Sequence, residues 1–344
     1  EMQFSLSLDP RVPADLECRR PDRMSPGGNM NRLGVVFFTA ATLGLWSTNI
    51  AFAVLPGTVS WTAEAACAYR AIAAQHPDPK LRSRDQLATK LCGPVLLPRE
   101  YEAARDVMDD NPEAYAGFFY VNARTHHIDS QLEKAAAEGV TQVVVLGAGF
   151  DSRAYRFHSI YTKLEFFEVD LPGTSSAKQQ AVTRLLGMLP PFVHYAPIDF
   201  DTQSLERVLR GVGYDPQRKT LFILEGVSMY VNEAGNSATF EFIQRHSLSG
   251  SMVVYDYVLR QVVEGDYTGM YSAASTAKGL AAIGEPIVFG WTPKEATEFA
   301  SRHGLTMIED LDSQELTNRY LTGSDGKPDG KLPNWLRIIN ARVR

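Results

Sequence analysis

Apolar residues are spaced as in helices through the part of the chain that follows residue 58. In the first such segment the apolar positions are Trp61, Ala65, Tyr69 and Ile72, and a Pro-Asp-Pro break follows at 77–79. This spacing places the apolar side chains on one face of a helix, which the prolines then end. Further helices are predicted over 84–91, 101–108 and 111–132. Residues 59–132 therefore form a helical prelude.

The pattern changes after this prelude to short β-branched and aromatic runs separated by segments of helical length. Strands are predicted at 143–146, 164–169, 192–197, 220–224 and 251–257, with helices at 175–186, 204–209 and 235–246. Two later strands, at 286–289 and 305–311, bracket a helix at 293–303. Alternation of strand and helix predicts an α/β fold with a mostly parallel, doubly wound sheet that is covered on both faces.

The amino-terminal region has a different composition. Residues 1–29 are polar and rich in proline, which predicts a disordered leader. Residues 30–54 form an apolar run with Arg32 near its start and Ala51-Phe-Ala53 near its end. Three interpretations remain open for it: a secretory signal beginning at Met30, a membrane anchor, or an extra helix packed on the domain. We expect the catalytic domain to span residues 59–344.

Composition limits the class of partner. The chain is 44% hydrophobic and 22% charged with a net charge of −6 and no block of Lys or Arg, so neither nucleic acid nor an anionic membrane surface is expected as a partner. The sequence leaves the oligomeric state undetermined. The cysteines are Cys18, Cys67 and Cys92, and they have no Cys-x-x-Cys spacing. Neither a disulfide nor a metal site is expected, and Cys67 and Cys92 are interpreted as small buried apolar residues.

Glycines and carboxylates stand at the ends of successive predicted strands. In a parallel sheet these ends meet at one edge, where ligands bind. In strand order the residues are Gly147 and Gly149, then Glu168 and Asp170, then Asp199, Glu225 and Asp256. We therefore expect a binding site built from them.

The turn after the first strand bears on the cofactor. It has Gly147 and Gly149 but Ser152 in place of the third glycine of a dinucleotide fingerprint, and Asp151 would stand beside the phosphates. Asp170, about 20 residues further on, suits the hydroxyls of a ribose. S-adenosylmethionine fits this pattern because it has a ribose but no phosphate, and Arg124 is positioned to pair with its carboxylate. A nicotinamide-dependent oxidoreductase and a non-catalytic cofactor-binding protein remain alternatives.

Several motifs together resemble the leucine carboxyl methyltransferase superfamily, most closely its bacterial branch of S-adenosylmethionine-dependent O-methyltransferases linked to polyketide and other secondary metabolism. The resemblance runs from about residue 59 to the end of the chain. The motifs are Val59-Ser-Trp-Thr-Ala63, the segment 120–129, Leu146-Gly-Ala-Gly-Phe-Asp-Ser-Arg153, Phe167-Glu-Val-Asp-Leu-Pro172, Ile198-Asp-Phe200, Leu224-Glu-Gly-Val-Ser-Met-Tyr230, Gly284-Glu-Pro-Ile-Val-Phe-Gly290 and Tyr320-Leu-Thr-Gly323.

The resemblance implies a Rossmann-like class I methyltransferase fold with an inserted lid, and transfer of methyl to a carboxylate or hydroxyl of a small molecule by in-line displacement. It also implies roles for site residues. Arg124 would bind the methionine carboxylate, with Gly147, Gly149 and Glu225 near the amino acid end, Asp170 on the ribose, and Asp199 with Phe200 around the adenine.

The acceptor side is less defined. Tyr230 and Tyr257 are candidate substrate contacts, with core packing as the alternative. A hydroxyl acceptor would need a base, for which His126, His127 and His194 are candidates. The prelude and residues 262–283 are expected to form the lid. Cofactor supply favours a cytoplasmic location, whereas residues 30–54 resemble an export or anchor signal.

Overall fold

A seven-stranded sheet organises the residues that this computed structural model describes, which are 59–92, 100–199 and 203–344. Its strands are β1 (Gln142–Leu146), β2 (Glu165–Asp170), β3 (Val193–Pro197), β4 (Thr220–Leu224), β5 (Met252–Val258), β6 (Leu305–Leu311) and β7 (Leu336–Val343). The spatial order is β3-β2-β1-β4-β5-β7-β6. Neighbouring strands among β1 to β5 pair in parallel, and β7 is antiparallel to both β5 and β6. The chain order therefore reverses between β1 and β4, where ligands of such sheets bind.

Helices surround this sheet. Those before it are α1 (Trp61–Ala73), α2 (Ala88–Leu91), α3 (Tyr101–Asp110) and α4 (Ala116–Ala137). Between the parallel strands lie α5 (Arg153–Phe157), α6 (Pro172–Leu186), α7 (Leu205–Gly211), a 3₁₀ turn (Ser228–Tyr230) and α8 (Glu233–Arg245). After β5 come α9 (Arg260–Val263), α10 (Ala273–Ala282), α11 (Pro293–Arg302) and α12 (Ser313–Tyr320).

Alternate residues of each central strand face opposite apolar layers. In β1, Val143 and Val145 join the layer that contains α4, whereas Val144 and Leu146 join the layer that contains α8 and α11. All of β1 is consequently buried, as expected for a strand covered on both faces. The predicted α/β architecture with a mostly parallel sheet is confirmed.

Two predictions about the carboxyl-terminal part were wrong or incomplete. Residues 286–289 form no strand; their segment is a loop in which the backbone N–H groups of Val288 and Phe289 both donate to the Met229 carbonyl. The remaining strand is β7, which was not predicted. Its alternation of apolar and polar residues changes phase between Ile338 and Ile339, and pairing with β5 and β6 defines the strand.

The expectation that the cysteines stay unpaired was wrong. Cys67 of α1 and Cys92 at the end of α2 form a disulfide with their Cα atoms 5.7 Å apart. An ion pair of 2.9 Å between Arg70 and Asp85 connects α1 to the turn that precedes α2. Because 25 positions separate the cysteines, only the packing of α1 on α2 brings them together.

The amino-terminal segments 1–29 and 30–54 lie outside the described residues, so their predicted roles stay predictions. Within the described ranges, no helix combines the length and the apolar character that crossing a bilayer requires.

Breaking the disulfide should lower the free energy of unfolding by about 3 kcal/mol, because the bond closes a loop in the unfolded chain. The measurement is urea unfolding of the oxidised protein with and without reductant. As the control, a variant with both Cys67→Ala and Cys92→Ala should match the reduced protein and be insensitive to reductant. Equal stability of the oxidised and reduced proteins would contradict the role assigned to this bond.

Candidate functional site

The turn after β1 requires glycine at two positions. Gly147 and Gly149 have φ of 65° and 46°, in the left-handed region that side chains disfavour. A Cβ on Gly147 would overlap Val227, and a Cβ on Gly149 would lie 3.1 Å from the Cβ of Ala63. The first turn of α1 therefore packs directly on this glycine turn, because Gly149 has no side chain to keep Ala63 away.

Asp170 at the end of β2 holds the glycine turn. Its Oδ2 accepts the backbone N–H of Gly149 at 2.5 Å, and its Oδ1 accepts that of Leu171 at 2.7 Å. Burial raises the pKa of Asp170, and the two N–H bonds oppose this shift only in part. A carboxylate has about four acceptor positions, so two remain for the hydroxyl groups of a ligand.

Arg153, the first residue of α5, is the centre of a buried ion network and is 2% exposed. Its guanidinium contacts Asp129 at 2.8 Å, Asp151 at 2.6 Å and Glu225 at 2.5 Å. Burial alone would lower the pKa of Arg153, but these carboxylates raise it well above its ordinary value. Asp151 thus faces a cation of its own chain, which accounts for the acidic residue in the glycine turn.

Arg124 lies beside this network on α4. Its Nε donates to Glu225 Oε1 at 3.0 Å and its Nη1 donates to Asp256 Oδ2 at 2.6 Å. Burial raises the pKa of Glu225, but Arg153 and Arg124 outweigh burial and lower it, so this carboxylate is ionised. Two predicted site residues, Arg124 and Glu225, are therefore in direct contact.

The predicted adenine contacts follow β3. Ile198 donates its backbone N–H to the Asp170 carbonyl at 2.9 Å, which places Asp199 next to the end of β2. The backbone N–H of Asp199 donates to Gln203 Oε1 at 3.0 Å. Phe200 lies outside the described residues.

The two candidate substrate tyrosines are separated by the sheet. Tyr230 follows β4 near Thr62 and Glu285; burial raises its pKa, and the nearby Glu285 carboxylate adds to the shift. Tyr257 is fully buried on the opposite face of β5 from Asp256, and its hydroxyl donates to Asp310 at 2.9 Å. The geometry therefore favours core packing, the open alternative, for Tyr257.

The candidate bases have other partners. His127 is buried between Tyr320 and Asn340, and His194 pairs with Glu165 on the neighbouring strand. His126 contacts the Leu81 carbonyl at 3.4 Å. These contacts tie each histidine to structural neighbours and join none of them to Arg124 or Asp170.

Glu285, in the loop after α10, is a site neighbour that sequence reasoning did not identify. Its carboxylate accepts the backbone N–H groups of Trp61 at 2.7 Å and Thr62 at 3.2 Å, and the Thr62 hydroxyl as well. It therefore fixes the start of α1 over the glycine turn. The Gly284-Glu-Pro motif was the available signal, but the contact spans more than 200 positions of sequence and no local pattern encodes it.

An open groove of about 630 Å³ lies elsewhere, along α6 between Pro172 and Arg184 and beside Leu189 and Pro197. Its lining is mostly uncharged, and it contains none of the ion network. We therefore place the candidate site at the carboxyl ends of β1 and β4 and not in this groove.

Comparison with known proteins agrees with this geometry. A family model for leucine carboxyl methyltransferase matches residues 63–244. A Bacillus subtilis protein named "Putative S-adenosyl-L-methionine-dependent methyltransferase YktD" is 28% identical over 200 residues, which cover 58% of this chain and 65% of that protein. A "Putative S-adenosyl-L-methionine-dependent methyltransferase" of Mycolicibacterium gilvum is 32% identical over 212 residues, covering 59% of this chain and 67% of that protein. The matched part thus spans about two thirds of these relatives' length.

A solved structure supports the fold. The crystal structure of a DUF574 family protein from Streptomyces avermitilis has a TM-score of 0.54 at 16% identity and covers 84% of this chain and 99% of that chain. At this identity the similarity concerns the fold alone.

Arg153→Met should lower the free energy of unfolding by about 3–5 kcal/mol, because it leaves the carboxylates of Asp129, Asp151 and Glu225 buried without their shared cation. Urea unfolding measures the change. The matched control is Arg84→Met, which removes an ion pair with Glu133 from a side chain that is 58% exposed and should cost at most about 1 kcal/mol. Similar losses in both variants would contradict the central place of Arg153.

Proposed function

The chain belongs to the leucine carboxyl methyltransferase family, and from this premise we propose that it is an S-adenosylmethionine-dependent methyltransferase that acts on an oxygen of a small molecule. Residues 59–344 form the domain that carries out the reaction. The observation that carries the proposal is the convergence of the glycine turn, the Asp170 carboxylate and the Arg124–Glu225 pair at the one sheet edge where the strand order reverses.

The donor set suits this cofactor. The Asp170 carboxylate has acceptor capacity left for the ribose hydroxyls, and Arg124 and Glu225 offer a cation and an anion for a zwitterionic amino acid. Gly147 is exposed between these groups, whereas Gly149 is buried against α1. Asp199 and Phe200 are assigned to the adenine from the family pattern.

The sulfonium cofactor supplies an activated methyl group when it is bound. The residues of this chain then have to orient the two reactants and exclude water. The Glu285 contact supports this role for α1, because it holds the first turn of that helix over the glycine turn. Tyr230, next to Thr62 and Glu285, is the described tyrosine best placed to contact the acceptor.

The acceptor is a carboxylate or a hydroxyl group. A carboxylate is ionised at neutral pH and needs no base, whereas a hydroxyl needs one. The histidines considered as bases are engaged elsewhere, which supports a carboxylate.

Binding of S-adenosylhomocysteine tests the cofactor assignment. We expect calorimetry to give a dissociation constant in the micromolar range for the wild type and at least a tenfold weaker one for Asp170→Ala, because the ribose loses its acceptor. The control is Asp215→Ala, at a turn before β4, and it should bind as the wild type does. Equal binding by wild type and Asp170→Ala would refute the assignment of this site.

Binding should also depend on pH through Asp170. Burial raises the pKa of this group, so its carboxylate takes up a proton at a higher pH than an exposed aspartate does, and affinity falls as the pH is lowered toward that pKa. The measurement is calorimetric titration of wild type and Asp170→Asn between pH 8 and pH 5. Parallel pH dependence of the two proteins would contradict the assignment.

The transfer itself is tested with cofactor labelled in its methyl group and a small-molecule extract. Labelled product is expected, and mild alkali should release its label as volatile methanol if the acceptor is a carboxylate. Retention of the label in alkali would instead identify a hydroxyl acceptor. Binding without any transfer would support the non-catalytic alternative.

A further inference from the structure

Asp256 is a strand-end carboxylate to which the family pattern described above gives no role. It lies in β5 and is 1% exposed. Three donors point at it: Arg124 Nη1 at 2.6 Å and the Tyr120 hydroxyl at 3.2 Å on Oδ2, and the backbone N–H of Gly226 at 2.7 Å on Oδ1. It thus connects α4, the turn after β4 and β5 in one contact set.

We infer that Asp256 is the positioning residue for Arg124: its buried carboxylate, together with Glu225, fixes the guanidinium so that the arginine can bind the amino acid end of the cofactor. This inference rests on the proposed function. It adds Asp256 of β5 to Glu225 as a second carboxylate that holds Arg124, the residue that the resemblance identified.

The geometry of the guanidinium supports this role. Arg124 is 7% exposed, and its bonds to Glu225 and Asp256 use Nε and Nη1. Those bonds leave Nη2 as the nitrogen for a carboxylate of a ligand. Two fixed nitrogens of a planar group determine the direction of the third.

Gly226 contacts both the Arg124 guanidinium and the Asp256 carboxylate. It has a φ of 69°, and a Cβ built on it would lie 3.2 Å from Arg124 Nη1 and 3.4 Å from Nη2. The turn after β4 therefore approaches the guanidinium closely only because residue 226 is glycine. Its N–H to Asp256 keeps the turn in that position.

Asparagine at position 256 cannot replace the carboxylate. An amide has one acceptor oxygen and one donor nitrogen, whereas all three partners are donors. In one orientation the amide nitrogen faces Gly226, and in the other it faces Arg124 and Tyr120. In the first case the turn at Gly226, which packs against the guanidinium, loses its acceptor; in the second case Arg124 itself does. The size of the side chain is unchanged in both.

The test compares two ligands of the full-length protein by calorimetry: S-adenosylhomocysteine, which has the amino acid end, and 5′-methylthioadenosine, which lacks it. For Asp256→Asn we expect S-adenosylhomocysteine to bind at least tenfold more weakly and methylthioadenosine to bind within twofold of the wild type. A purely structural role would weaken both ligands alike.

Two further variants keep the inference testable if Asp256→Asn folds poorly. Gly226→Ala keeps the Asp256 carboxylate but displaces Arg124, so the same selective loss is expected if affinity for the amino acid end depends on where the guanidinium lies. Equal weakening of both ligands would contradict that dependence and with it the inference. The matched control is Asp310→Asn, because Asp310 also accepts from an arginine, Arg337, and a tyrosine, Tyr257, but on the opposite face of the sheet. It should leave both affinities unchanged.

The outcomes separate the two proposals. If the wild type fails to bind S-adenosylhomocysteine, the proposed function itself is wrong and the inference fails with it. If the wild type binds but Asp256→Asn loses affinity for both ligands equally, or for neither, the positioning role is overturned and the proposed function stands.

Discussion

The burial of Arg153 among three carboxylates is the interaction on which the rest of the site depends. A buried guanidinium is tolerated only when it is paired, and Asp129, Asp151 and Glu225 each reach it from a different part of the chain. Pairing fixes α4, the turn after β1 and the end of β4 relative to one another. Arg124 then shares Glu225 with Arg153, so the network continues to the residue proposed to bind the cofactor.

Two other constraints act on the glycine turn. On the side of the sheet, the Asp170 carboxylate accepts the backbone N–H of Gly149. On the outer side, the first turn of α1 packs against Gly149. The disulfide at Cys67 and the carboxylate of Glu285 hold α1 at its middle and at its start. A helix from the prelude and a loop from the far end of the domain are thus combined over one short turn.

Much of the fold follows from local pattern. The central strands β1 and β4 are buried on both faces, so each contains a continuous apolar run followed by Gly147 or Glu225, and such runs are visible without a structure. β7 was missed because its alternation changes phase between Ile338 and Ile339. Residues 286–289 were wrongly predicted as a strand because a short apolar run also suits a loop anchored by backbone bonds. For the site, the types of residue at the strand ends were predictable, but their partners were not.

The sequence by itself determined the α/β architecture, the glycine turn and the row of carboxylates at the strand ends, since these depend on residues close together in the chain. Only the tertiary structure decided which charges meet. Asp256 joins Arg124 across 132 positions, Glu285 joins Trp61 across 224, and Tyr257 faces away from the site although its neighbour faces into it. Ion pairs and helix caps depend on which groups are close in the fold and not on their separation in sequence. Strand alternation places adjacent side chains on opposite faces of the sheet. Spacing along the chain therefore identified the groups, and packing determined how they are arranged.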